Sequence, residues 1–155
     1  MEASQRATLI GRYEEGFEVV RAALDGATDA ALDARLAPTD WTAREVVHHL
    51  ADSEMTSAIR LRRLLAEPGA IILGYDETAF AKRCHYDRPI EASLEAFRAA
   101  RVVTAEILHR LGDEEWARTG THSESGTYSV ETWLEIYAAH AHDHAEQMRA
   151  SMGIA

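Results

Sequence analysis

Apolar residues recur three and four positions apart along four long segments of the chain, which is the spacing of one face of an amphipathic helix. The predicted helices span about Ser4–Leu24, Thr42–Ala66, Ile90–Leu111 and Ser129–Met152. A helix with a single apolar stripe is stable only when another apolar stripe covers it. The pattern therefore predicts an all-α fold, a four-helix bundle formed by one domain over residues 1–155.

Local signals mark the helix ends and the connections between helices. Thr42 and Glu45 match the capping box that begins a helix. The connection Pro68–Arg88 is long for a structureless loop, so we expect it to contain a brief helix at Asp76–Lys82. The polar segment Gly112–Tyr128 is predicted as a loop, and no alternating apolar pattern predicts strands. Long connections are therefore expected between the second and third helices and between the third and fourth.

Composition narrows the class of partner. The chain has 26 acidic and 16 basic residues, a formal net charge of -10. This balance argues against nucleic acids and anionic membranes as partners, because both attract concentrated Lys and Arg. No apolar run reaches the roughly 20 residues that span a bilayer, and the amino-terminal sequence lacks the pattern of a secretory signal. A single cysteine, Cys84, suits a reducing compartment, so we expect a cytoplasmic protein.

Five of the eight histidines fall in two clusters, His48 and His49 on the second predicted helix and His140, His142 and His144 on the fourth. At about 100° per residue, His140 and His144 lie on one side of their helix, one turn apart, whereas His142 points to the other flank. His49 lies closer to the apolar stripe of its helix than His48 does. The spacing predicts a site of three histidines between two helices, with an open coordination position for water or substrate.

The residues alone leave alternatives open. An HxxxH pair on a helix is a weak signal, and histidines at the edge of a core usually only form hydrogen bonds. Three imidazoles suit zinc, nickel, copper or iron, so the pattern does not select the ion. Asp52, Glu54 and Asp143 are candidates to hydrogen-bond the ligand histidines, with solvated helix positions as the alternative.

Two motifs resemble those of a known family. The segment Asp40–Glu54, DWTAREVVHHLADSE, resembles the helix motif W-S/T-x-x-E-V-x-x-H-L-x-x-x-E of the DinB/YfiT-like superfamily. The segment Tyr137–Met148, YAAHAHDHAEQM, resembles that family's H-x-x-x-H-x-x-Q signature. The resemblance covers most of the chain and implies that His49, His140 and His144 match the family's three metal ligands. It also implies a four-helix fold, a homodimer and a divalent metal ion, usually zinc or nickel.

Three activities are compatible with an open metal position, and each would use a small-molecule substrate. The preferred one is S-transfer, as in characterised relatives, in which a low-molecular-weight thiol binds as a thiolate and attacks an electrophile. The second is hydrolysis by metal-bound water. The helix motif is HAHDH and not HExxH, which argues against a peptidase. The third is a protein without enzymatic activity that binds a metal ion or another ligand.

Overall fold

The computed structural model describes residues 1–154, and ten elements are assigned in that range. They are α1 (Ala3–Ala23), α2 (Asp29–Leu32), α3 (Ala43–Ala66), β1 (Ile71–Ile72), α4 (Glu77–Arg83), α5 (Glu91–Leu108), α6 (Asp113–Trp116), β2 (Thr119–His122), β3 (Gly126–Ser129) and α7 (Val130–Met152). The four long helices α1, α3, α5 and α7 form the bundle, in which α1 packs along α7, and α3 packs against both α5 and α7. The predicted four-helix bundle is confirmed.

Caps define where the two helices that carry the histidine clusters begin and end. The Thr42 hydroxyl accepts a hydrogen bond from the Glu45 amide at 3.1 Å, and the Glu45 carboxylate accepts one from the Thr42 amide at 2.8 Å. Ser129 accepts from the amide of Thr132 at 2.9 Å at the start of α7. Gly153 ends α7 with a φ of 70°, a left-handed conformation that suits glycine. The boundaries predicted for these two helices are therefore confirmed.

The prediction that the chain has no strands is wrong. A three-stranded sheet has the order β1-β2-β3, with β1 parallel to β2 and β2 antiparallel to β3. The short helix α6, the strand β2 and all of β3 except Ser129 lie in the segment Gly112–Tyr128, which the sequence predicts as loop. The strand β1 is only two residues long, and the four-residue strands β2 and β3 are largely polar, so all three lack the alternation that identifies a strand. The parallel partner β1 is also distant in sequence, and no local pattern reports such a pairing.

One arginine connects all four bundle helices. Arg101 on α5 is buried and donates to the Glu54 carboxylate on α3 at 3.1 Å. It also donates to the backbone carbonyls of Tyr13 on α1 and Tyr137 on α7, both at 2.9 Å. The Tyr13 hydroxyl donates to the same Glu54 carboxylate. Burial raises the pKa of Glu54, and Arg101 opposes that shift. Because these hydrogen bonds join α1, α3, α5 and α7, the network fixes the four helices relative to one another about one turn away from His140.

Within residues 1–154, no helix combines the length and the apolar character needed to cross a bilayer.

Candidate metal centre

Three imidazoles from two helices face one another between α3 and α7. The Nε2 atom of His140 lies 3.3 Å from Nε2 of His49 and 3.2 Å from Nε2 of His144. One ligand atom from each of the three rings lies within 4.8 Å of the other two. The structure thus brings together the three histidines selected from the sequence, and their role as metal ligands stays a prediction.

Gln147 sets the proton position on one of these rings. His144 and Gln147 lie three residues apart on α7, so they share a face of the helix. The side-chain oxygen of Gln147 lies 2.7 Å from Nδ1 of His144. Because that oxygen can only accept, the neutral His144 ring carries its proton on Nδ1 and directs the lone pair of Nε2 towards His140.

The nitrogen atoms fit a divalent cation better than they fit hydrogen bonds to one another. Nε2 of His144 has no proton to donate, and Nε2 of His140 can carry only one proton for two neighbours. At least one of the two short contacts is therefore not an ordinary hydrogen bond. Tetrahedral zinc with Zn–N bonds of about 2.0–2.1 Å separates its nitrogen ligands by about 3.3 Å. Two of the three nitrogen separations match this value, and a set of three nitrogen ligands would leave one tetrahedral position for a further ligand.

Burial keeps these imidazoles neutral at pH 7, the state in which they can bind a metal. Desolvation, with a smaller contribution from the positive charge of a protonated His144, lowers the pKa of His49 to about 3. Desolvation followed by the neighbouring histidines lowers the pKa of His140 to about 2. The pKa of His144 is also lowered by burial, although its bond to Gln147 acts in the opposite direction.

The neighbouring histidines lie outside the cluster. His142 makes a hydrogen bond with the Arg12 carbonyl at 3.0 Å, as expected for a ring on the opposite flank of α7. His48 differs from the prediction, because it is fully buried although its angle placed it away from the apolar stripe. Its ring binds the Ser93 hydroxyl at 2.7 Å and the Arg88 carbonyl at 3.0 Å. The helix α3 therefore buries a second, polar face against the start of α5, which a single apolar stripe does not reveal.

The three acidic residues proposed as partners of the histidines make other contacts. Asp52 accepts a hydrogen bond from the Tyr86 hydroxyl at 2.7 Å. Glu54 belongs to the buried network of Arg101, and Asp143 is exposed. Among the described residues, the partner that holds a histidine of the cluster is instead Gln147, which the sequence reasoning did not assign. Its position three residues after His144 was the available signal.

Aromatic side chains flank the cluster. The Trp41 ring lies edge to face with His49 at a centroid distance of 5.0 Å, and the Tyr137 ring lies 5.7 Å from that of His140. Trp41 comes directly before the cap of α3, and Tyr137 lies one turn before His140 on α7. These rings exclude water from two sides of the cluster, which strengthens electrostatic interactions inside it.

The family of the chain follows from its sequence as a whole. The profile of the DinB superfamily matches residues 12–148, a range that includes all three histidines. The chain belongs to the DinB superfamily. The expected DinB/YfiT-like relationship is therefore confirmed.

Individual members of the DinB superfamily show how far the similarity extends. A protein of Oceanobacillus iheyensis named "Putative metal-dependent hydrolase" is 38% identical over 113 residues, which cover 73% of this chain and 66% of that protein. A Bacillus cereus protein of the same name is 32% identical over 104 residues, covering 67% of this chain and 60% of that one. The chain thus spans less than two thirds of the length of these curated relatives.

Solved structures extend the similarity over the full bundle. YfiT from Bacillus subtilis, described as a probable metal-dependent hydrolase with an unusual four-helix bundle topology, superposes with a TM-score of 0.91 at 29% identity. The match covers 100% of this DinB-superfamily chain and 91% of that structure. The four-helix bundle protein TT2238 superposes with a TM-score of 0.67 at 25% identity, over 94% and 99% of the two chains.

Proposed function

We propose that this chain is a metal-dependent hydrolase of a small substrate, with a divalent ion held by His49, His140 and His144. The observation that carries the proposal is the convergence of three Nε2 atoms, two of them 3.2 Å and 3.3 Å from the third. Three protein ligands with one open position are typical of catalytic zinc, whereas structural zinc usually has four protein ligands. The names of the relatives in Oceanobacillus iheyensis and Bacillus cereus support the same class of reaction.

The chain's own residues prepare this site. When bound, a divalent ion supplies Lewis acidity, which lowers the pKa of a coordinated water or thiol and polarises a substrate carbonyl. Gln147 holds the His144 ring in the tautomer whose Nε2 faces the cluster. Burial keeps His49 and His140 neutral, so that each ring has a nitrogen lone pair available for the ion. Trp41 and Tyr137 limit access of bulk water.

Thiol S-transfer is the second candidate, and one observation favours it. Hydrolysis is usually assisted by a general base close to the attacking water. The two carboxylates that follow His49 on α3, those of Asp52 and Glu54, are engaged by Tyr86 and by Tyr13 with Arg101, respectively. A free thiol is far more acidic than water, and coordination to a divalent ion would lower its pKa further, so S-transfer from a low-molecular-weight thiol would depend less on such a base.

Metal analysis tests the ligand set. Protein purified without chelators is expected to contain about one divalent ion per chain, and His49→Ala and His144→Ala are each expected to lose it. His142→Ala is the matched control, because His142 lies on the same helix and binds a backbone carbonyl instead. Elemental analysis of the three variants beside the parent protein gives the answer. Retention of the ion in His49→Ala, or its loss in His142→Ala, would contradict the assignment.

Activity assays separate the two candidate reactions. Protein loaded with zinc or with nickel is incubated with a panel of esters, amides and lactones, and separately with small electrophiles and low-molecular-weight thiols. We expect hydrolysis of at least one class of substrate, and its loss in His49→Ala. Thiol conjugation without any hydrolysis would favour S-transfer, and neither activity with either metal would contradict both. The choice between zinc and nickel, the homodimer and the cytoplasmic location stay predictions.

A further inference from the structure

One nitrogen atom of the metal centre lacks a hydrogen-bond partner. Among the side chains of residues 1–154, Nδ1 of His49 is one of three buried polar atoms without such a partner, and the residue as a whole is only 2% exposed. Folded proteins leave few polar atoms in this state, because burial removes the hydrogen bonds that water would make. Nδ1 of His144 differs, since it lies 2.7 Å from the side-chain oxygen of Gln147. The two rings are therefore supported in different ways.

Metal binding makes this nitrogen a hydrogen-bond donor. Nε2 of His49 lies 3.3 Å from Nε2 of His140 and is the atom that faces the cluster. When Nε2 holds an ion, the neutral imidazole carries its proton on Nδ1. A metal-bound histidine normally gives that N–H group to an acceptor, which fixes the orientation of the ring. The acceptor for His49 has to lie on the side of the ring that faces away from the cluster.

An indole ring lies beside His49. Among the described residues, three aromatic side chains pair with its imidazole, namely His140, His144 and Trp41. The first two belong to the cluster on the Nε2 side, which leaves Trp41 for the opposite side. The centroids of the indole and imidazole rings are 5.0 Å apart, at an interplanar angle of 77°. In such an edge-to-face pair the positive edge of one ring meets the negative face of the other, and an N–H group at the edge can point at that face.

The indole ring is held in place against α3. Trp41 directly precedes Thr42, whose capping interactions fix the path of the chain into the helix. The Tyr86 ring packs edge to face with the indole, at a centroid distance of 6.3 Å and an interplanar angle of 86°. The Tyr86 hydroxyl donates to Asp52 at 2.7 Å, and Asp52 lies about one turn after His49 on α3. These contacts fix the indole relative to the helix that carries His49.

We propose that Trp41 is a positioning residue for the metal ligand His49, with the face of its indole ring accepting the Nδ1–H group of the metal-bound imidazole. A bound cation draws electron density from the imidazole and makes this N–H group more positive, so its contact with the indole face is stronger in the metal-bound state. Trp41 therefore raises the affinity for the ion, as Gln147 does for His144 through a hydrogen bond. The inference rests on the proposed function only in taking His49 as a ligand, and it applies equally to hydrolysis and to S-transfer.

Ring-current shifts in NMR spectra test this contact directly. A proton that points at an aromatic face resonates upfield, whereas a proton bonded to an oxygen acceptor resonates downfield. In zinc-loaded, ¹⁵N-labelled protein, we expect the Nδ1–H proton of His49 to resonate upfield of that of His144, which bonds to Gln147. The His49 signal is assigned through correlations with the other atoms of its ring. A His49 proton as far downfield as that of His144 would overturn the proposal.

Two substitutions at Trp41 separate the effect of the aromatic face from that of apolar packing. Trp41→Phe retains an aromatic face, whereas Trp41→Leu retains only apolar contact, and both variants are expected to fold because the position is partly exposed. We expect Trp41→Leu to move the Nδ1–H proton of His49 downfield and to weaken zinc binding about three- to tenfold. Trp41→Phe should keep the upfield position and bind zinc within about twofold of the parent protein. Competition with a chromophoric chelator measures the affinities, and equal affinities of the two variants would contradict the role of the indole face.

A control variant and the metal content complete the experiment. Phe80→Leu is the matched control, because the Phe80 ring packs on Tyr75 at 4.6 Å and belongs to α4, in which no side chain is buried. It is expected to leave the His49 signal and the zinc affinity unchanged, and a loss equal to that of Trp41→Leu would argue against a specific role of Trp41. Zinc bound by a parent protein whose His49 signal ignores Trp41→Leu would overturn the role of Trp41 and leave the metal centre intact. A parent protein that binds no zinc would contradict the proposed function and the role of Trp41 together.

Discussion

The helices α1 and α7 lie close together at Gly16, and this contact offers a sharp test of the packing that holds the histidines in place. A Cβ atom added at Gly16 would lie 2.7 Å from Cβ of Ala141 and 2.9 Å from Cζ of Arg101. Carbon atoms in contact normally lie about 3.5–4.0 Å apart. Neither neighbour can move freely, because Ala141 is on a buried helix face between His140 and His144 and Arg101 is fixed by three other helices. Gly16→Ala must therefore separate α1 from α7.

Two opposing effects determine how much Gly16→Ala changes the free energy of unfolding. Alanine is a better helix former than glycine by about 1 kcal/mol. Forcing an extra methyl group into a packed core costs about 1–3 kcal/mol, and displacing the buried ion pair of Arg101 moves the cost towards the upper end. We expect Gly16→Ala to lower the free energy of unfolding by about 1–2 kcal/mol, equivalent to a fall of roughly 2–8 °C in melting temperature for a chain of this size.

Gly11 supplies the matched control on the same helix. A Cβ atom at Gly11 would meet nothing within 4 Å, so Gly11→Ala gains helix propensity without a clash. We expect its free energy of unfolding to rise by about 0.5–1 kcal/mol. Urea denaturation of both variants in the presence of a chelator measures folding without the contribution of a bound ion. Equal stabilisation by the two substitutions would refute the argument that contact with Ala141 and Arg101 excludes a side chain at Gly16.

Two further predictions concern the supporting contacts. Glu54→Gln leaves the charge of Arg101 buried without its counterion, so we expect a loss of about 3–5 kcal/mol in the free energy of unfolding. The control Glu95→Gln breaks an exposed ion pair with Arg98 and should change the free energy of unfolding little. Equal losses for the two variants in urea denaturation would contradict the reasoning. Gln147→Ala should weaken zinc binding by about 10–100-fold, measured by competition with a chromophoric chelator. Asp143→Ala should leave the affinity unchanged, and the reverse order would show that Gln147 is not the supporting group.

The sequence by itself determined the bundle helices and the main candidates of the site. Spacing of three and four predicts a long helix wherever an apolar stripe is continuous, and a capping pattern such as Thr42 with Glu45 adds the boundary. The same periodicity placed His140 and His144 on one side of α7, because side chains four residues apart on a helix are neighbours whatever the fold. These features depend on the local geometry of a helix, which the residues of one short segment determine without contacts to the rest of the chain.

Only the tertiary structure decided which polar residues meet across helices. The burial of His48, the bond of Arg101 to three other helices and the pairing of β1 with β2 all join segments distant in the chain. The exclusion of Glu54 from the histidine cluster has the same origin, because its partners come from α1 and α5. A helical wheel gives the direction of a side chain from its own axis, but the position of the neighbouring helix is set by packing of the whole core, and that packing decides what the side chain contacts.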